Sequence, residues 1–161
     1  MKHVFWLLTD QLAGRAGPTR EPWNVGDFAA AGFDSILSLD EQEIDPAAMS
    51  AAGLSHKLIR FPNYYPPDAP LVQEFRDKLL IAHQFVCQQM TNGNRLLIHC
   101  VAGCDRTGIV MAYYLCATLG LSPEEGIARV REVRPNAILA PGWEEMILPI
   151  MTEFLENEKN V

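Results

Sequence analysis

LLIHCVAGCDRTGIVMAYYL, Leu96 to Leu115, changes character twice in a short span. With Arg95 it opens as RLLIH, an apolar run short enough to be a buried strand. A loop of small residues follows Cys100. From Thr107 the chain turns strongly apolar and reads as a helix to Leu119, where Gly120 ends it. Strand, tight loop and helix in direct succession are the building unit of an α/β sheet. In such sheets ligands sit beyond the carboxyl ends of the strands, and His99-Cys100 is at such an end.

The flanks repeat the alternation. Val4 to Leu8 reads as a strand, and QLAGRAGPTREP after it as loop, by its Gly and Pro content. Trp23 to Ala31 reads as a short helix closed by Gly32, Asp34 to Asp40 (DSILSLD) as a strand, and Pro46 to Ala52 as a second short helix. HKLIRFP reads as a strand closed by Pro62, whereas NYYPPDAP, Asn63 to Pro70, carries too much proline for regular structure. Leu71 to Met90 has helical periodicity, with Leu71, Phe75, Leu79, Ala82, Phe85 and Val86 on one face. Ser122 as N-cap and Pro123 in the first turn open a helix that runs to Arg134, and a last helix runs from Trp143 to about Glu156. The expected fold is α/β: a central, mostly parallel sheet of four to five strands with helices on both faces, in a single domain over residues 1–161.

Composition narrows the function. A net charge of -7 argues against nucleic acid and against anionic membrane surfaces as partners. It leaves room for a small anion, because a confined site has its own field. The apolar run VFWLL ends at Thr9-Asp10, too short for a signal or a membrane span, and Cys87, Cys100, Cys104 and Cys116 show no disulfide spacing. The chain reads as a cytoplasmic protein with reduced thiols.

The loop itself is built for an oxyanion such as phosphate, sulfate or vanadate. Backbone N–H groups from Cys100, Val101, Ala102, Gly103, Cys104, Asp105 and Arg106 curl around one point at the positive end of a helix. Arg106 adds a planar fork for two oxygens. The same field favours the thiolate of Cys100, which is placed to attack phosphorus in line. Thr107 can donate a hydrogen bond to that sulfur, and His99 can fix the cysteine backbone. Together these imply hydrolysis of a phosphate monoester through a covalent cysteinyl-phosphate.

HCVAGCDRTG also fits the signature of the protein tyrosine phosphatases: His-Cys, five residues, Arg, Ser or Thr, Gly. The chain resembles the small dual-specificity members, with LAGRAGP, DFAAAGFDSILSLDE and GLSPEEGIARVREVRP similar to the segments around the signature. The resemblance implies the fold, Cys100 as nucleophile, phosphate binding by the loop and Arg106, and no metal or other cofactor. It also implies an acid on a proline-containing loop roughly thirty residues before the cysteine, to protonate the leaving group.

At the position of that acid stands Asn63, in RFPN. Two aspartates can substitute. Asp68 lies on the same loop and reads equally as the N-cap of the next helix. Asp105 precedes Arg106, and in some lipid and bacterial phosphatases resembling this family an aspartate there is thought to help with proton transfer; it reads otherwise as a tether for Arg106 or for a neighbouring loop. Asp68 is the expected donor, since it comes from the loop the family uses, and Asp105 the rival. The family's water-positioning glutamine is missing from RPNAILAPGWEEM, where Asn136 or Glu144 could stand in. The expected substrates are phosphotyrosine, with phosphoserine and phosphothreonine admitted by a shallow pocket, and Tyr64 and Tyr65 either flank the substrate or pack. The signature loop has no lysine, which weighs against inositol polyphosphates. A phosphatase of an inositol phosphate or other small phosphorylated metabolite, and a weakly active phosphate-binding module, are the alternatives. Cys104 is either a thiol able to trap an oxidised Cys100 or a small side chain turned into the fold.

Overall fold

The computed structural model describes residues 1–41, 44–62 and 68–161. Among these residues the strands are β1 (Phe5–Leu8), β2 (Leu12–Ala16), β3 (Ser35–Ser38), β4 (Ser55–Leu58) and β5 (Leu96–Cys100). The helices are α1 (Val25–Ala30), α2 (Pro46–Ala51), α3 (Ala69–Thr91), α4 (Asp105–Leu119), α5 (Pro123–Val133) and α6 (Trp143–Lys159).

The sheet runs β1-β2-β5-β3-β4, parallel from β2 to β4, with β1 antiparallel at one edge. β5 is the middle strand and is buried along its whole length, as a parallel strand covered on both faces must be. Its alternation divides two cores. Leu96, Ile98 and Cys100 point into the larger, with Phe75 and Leu79 of α3, Tyr113 of α4 and Ile147 of α6. Leu97 points into the smaller, with Phe28 of α1 and Met49 of α2. Helices therefore cover both faces, as the alternation of the sequence requires.

α4 is buried from Arg106 to Cys116, which is why its sequence is apolar all round. It packs closely on α5 because Gly126 has no side chain: a Cβ there would overlap the Cys116 sulfur and lie 2.9 Å from the Ala112 carbonyl oxygen. α5 opens with the expected N-cap at Ser122, completed by Glu125 into a reciprocal capping box.

The segment QLAGRAGPTREP is corrected by the structure. Leu12–Ala16 within it is not loop but β2, buried and parallel to the strand that ends in Cys100. Glycine and alanine are there because the neighbours are large: a Cβ on Gly14 would overlap the Phe5 ring and meet the Met111 Cε at 2.9 Å. The strand of HKLIRFP also stops early, at Leu58. Ala69 and Pro70, expected outside regular structure, form the first turn of α3, where a missing N–H costs nothing. The readings of Asn63, Tyr64 and Tyr65 fall outside the described residues.

Candidate active site

β5 delivers Cys100 to the carboxyl end of the sheet, and four residues separate it from the start of α4. The turn between them is decided by where its carbonyls go. Val101 O accepts from Gly17 N at 3.0 Å and Cys104 O from Gly108 N at 2.9 Å. Ala102 O accepts from Arg134 Nη2 at 2.8 Å, and Gly103 O from Arg134 Nε at 3.2 Å. Drawing these four carbonyls outward aims the intervening N–H groups at the concave side. Gly103 makes the curl possible: its φ is +63°, and a Cβ would overlap the Arg15 carbonyl. The helix start adds to the donors, because the side chain of its N-cap, Cys104, makes no capping bond to the first-turn N–H groups. The result is an anion cradle of backbone donors at a helix N-terminus.

Beside the cradle lies a cavity of about 270 Å³ lined by Cys100, Val101, Ala102, Asp105, Arg106, Ala140 and Trp143. A larger cavity, about 570 Å³, opens beside Trp23 and α1, but no cysteine is among the described residues that line it. Arg106 is 4% exposed, and its Nη1 stands 3.2 Å from Asp40 Oδ1 at the end of β3. That nitrogen makes no hydrogen bond among the described residues. The guanidinium is thus held by charge and keeps donors for a ligand. Thr107 is fully buried, and its hydroxyl too has no hydrogen-bond partner among the described residues, an open donor one residue beyond the arginine.

His99 is buried and neutral. Burial is the largest cause of its pKa falling to about 4, and the bond to the Cys100 carbonyl opposes it only in part. Its Nδ1 lies 3.2 Å from that carbonyl oxygen, its Nε2 2.6 Å from Ser38 Oγ, and Trp23 meets its ring edge-on. His99 thus lies between the Cys100 carbonyl and Ser38.

The two aspartates separate. Asp68 is exposed and caps α3, accepting from Leu71 N at 3.1 Å; it does not line the cavity beside Cys100. Asp105 does line it, and its Oδ1 accepts from Ala140 N at 3.3 Å. The tether goes to the neighbouring loop, not to Arg106, whose counter-charge is Asp40. Neither stand-in for the missing glutamine lines the cavity: Glu144 is bound to Arg131 at 2.7 Å, and Asn136 is exposed. Cys104 is half-buried and its thiol donates to Ala102 O at 3.4 Å; burial pushes its pKa up, and Arg134 opposes this.

Sequence reasoning missed Asp40, Ser38 and Arg134. Asp40 was visible only as the polar end of DSILSLD, and Arg134 only as the end of a helix. Their roles depend on β3 and α5 converging on a loop more than twenty residues away in the chain.

A cysteine at a strand end, a loop of backbone donors and a buried arginine thus meet at one cavity. The chain belongs to the family described as dual specificity phosphatase, catalytic domain, whose model matches residues 35–150. The tyrosine-protein phosphatase cdcA of Emericella nidulans is 30% identical over 114 residues, covering 71% of this chain and 18% of that protein. Dual specificity protein phosphatase CDC14B of Mus musculus is 27% identical over 124 residues, covering 77% of this chain and 24% of that one. The chain thus spans less than a quarter of the length of each. Among solved structures, Tk-PTP in the active form matches with a TM-score of 0.76 and 21% identity, over 94% of this chain and 97% of that one. PTPMT1 in complex with PI(5)P matches with a TM-score of 0.75 and 16% identity, over 96% of this chain and 98% of that one. Both share the fold. No helix of the described residues is long and apolar enough to cross a membrane.

Proposed function

We propose that this domain hydrolyses phosphate monoesters through a cysteinyl-phosphate on Cys100, with phosphotyrosine as the favoured residue and phosphoserine and phosphothreonine as further substrates. The observation that carries the reading is the outward turn of the four loop carbonyls around Cys100 and Arg106. Cys100 Sγ attacks phosphorus while the bond to the leaving oxygen breaks. The loop N–H groups and Arg106 hold the equatorial oxygens. Water then attacks phosphorus, the S–P bond breaks, and Thr107 donates to the departing sulfur.

We assign the proton transfers to Asp105 rather than Asp68. In its protonated form Asp105 gives a proton to the leaving oxygen, and as carboxylate it then accepts one from the attacking water. Its place on the cavity wall, steadied by Ala140 N, supports this. The apolar wall of Ala140 and Trp143 suits an aryl phosphate, and a loop without lysine, with a carboxylate at its rim, disfavours a second phosphate. Four free thiols suit the cytoplasm.

Steady-state rates with p-nitrophenyl phosphate and with phenyl phosphate, whose leaving group is the poorer, test the reading. Cys100→Ser abolishes turnover. Asp105→Asn loses more rate on phenyl phosphate than on p-nitrophenyl phosphate, and Asp68→Asn keeps the wild-type ratio. Turnover surviving Cys100→Ser refutes the covalent step, and a changed ratio in Asp68→Asn alone moves the acid back to the proline-rich loop.

A further inference from the structure

The sheet carries a polar row at its carboxyl end, on the α1/α2 face. Arg15 of β2, His99 of β5 and Ser38 of β3 are register partners there. His56, on the edge strand β4, is the register partner of Ile36, two residues before Ser38, and reaches the row diagonally: its Nε2 lies 2.8 Å from the same Ser38 Oγ that lies 2.6 Å from His99 Nε2. One hydroxyl thus stands between two imidazoles, and it has a single proton to give.

The direction of the chain follows from what each atom can do. A carbonyl oxygen only accepts, so the contact with Cys100 O requires the proton on His99 Nδ1. His99 is fully buried and neutral, with one ring proton, so its Nε2 carries a lone pair. Ser38 must therefore donate to His99. Its proton is then used, and the contact with His56 closes only if His56 Nε2 donates. Neutral His56 of the right tautomer and cationic His56 both satisfy this, so titration of His56 leaves the direction intact. Arg15 and Asp40 carry further charge near His99, and Trp23 covers its ring.

We propose that His56 is a positioning residue for the nucleophile. As the terminal donor it sets the direction His56 to Ser38 to His99 to the Cys100 carbonyl, and so the tautomer of His99. With a residue that only accepts at position 56, Ser38 turns round, the proton of His99 moves to Nε2, and the bare Nδ1 faces the Cys100 carbonyl. Lone pair then meets lone pair, and the peptide at the base of the thiolate is pushed out of place. The rate consequence rests on Cys100 being the nucleophile; the tautomer consequence does not.

The test reads both. In ¹⁵N NMR of the wild type, the expected signature is His99 protonated at Nδ1 and bare at Nε2, with His56 protonated at Nε2. His56→Gln, which keeps an amide donor, retains the His99 signature and the activity. His56→Glu moves the His99 proton to Nε2, lowers kcat/KM for p-nitrophenyl phosphate about tenfold to a hundredfold, and slows alkylation of Cys100 by iodoacetate. A wild type with His99 protonated at Nε2 overturns the proposal, whether or not any variant folds. So does His56→Glu with an unmoved tautomer, or a moved tautomer with an unchanged rate. Absence of turnover in the wild type sinks the phosphatase reading instead, and the spectrum still decides the chain.

Discussion

Gly103→Ala separates a backbone cost from a catalytic one. The residue has φ +63°, which costs an alanine about 1 kcal/mol or somewhat more. Its new Cβ would also overlap the Arg15 carbonyl and lie 2.8 Å from Ala16 N, where ordinary contact begins near 3.4 Å. β2 is a buried central strand and cannot yield, so the phosphate loop retreats by more than about half an ångström. Displacements approaching 1 Å in a reacting site cost about a hundredfold in rate, or roughly 3 kcal/mol of barrier. The expected outcome is a loss of kcat/KM on p-nitrophenyl phosphate of about tenfold to a hundredfold, with a parallel loss of vanadate affinity. Gly53 and Gly93 supply the controls, with φ +76° and +70° and open space where a Cβ would go. Alanine at either should lower Tm by about 2–4 °C per kcal/mol of backbone cost and leave the rate alone. Gly103→Ala with wild-type kcat/KM and the same Tm shift as these controls refutes the steric argument.

Arg134→Met removes both bonds to the loop carbonyls, together with the guanidinium that lies over the Phe5 ring. Vanadate affinity and kcat/KM should each fall about tenfold or more, given about 1.5–3 kcal/mol for a bond from a charged donor; unchanged inhibition by vanadate contradicts the clamp. Asp40→Asn strips the buried Arg106 of its counter-charge, at a cost of about 2 kcal/mol or more. Because a bound dianion replaces that charge, saturating vanadate should raise Tm more in the variant than in the wild type, and equal shifts in calorimetry would count against the pairing. His99 holds its neutral form in the fold down to about pH 4, whereas the unfolded chain takes up the proton below about 6.5. Stability therefore falls as pH drops from about 6.5 to 4, by up to about 3 kcal/mol from this residue, and flattens below. Urea unfolding across that range checks this: His99→Gln should lose most of the slope, and an identical slope would rule His99 out as its source.

The sequence alone determined the strand-loop-helix around Cys100, because its signals are local: an apolar run, a cluster of small residues, a helical stripe ended by Gly120. It determined the capped helix at Ser122 for the same reason, and it named Cys100 and Arg106 from the chemistry of a thiol and a guanidinium on one phosphate-sized loop. The tertiary structure decided what depends on distant partners. LAGRA reads as loop until the Phe5 ring is seen to fill the space its glycine leaves. The chain favours Asp68 as proton donor over Asp105, and the two separate only when one is found capping α3 and the other on the cavity wall. Arg134, Asp40, Ser38 and His56 carry no local signal of what they hold. Their work is to hold the loop and its cysteine from other elements, and such work leaves a mark in three dimensions but none in the spacing of residues.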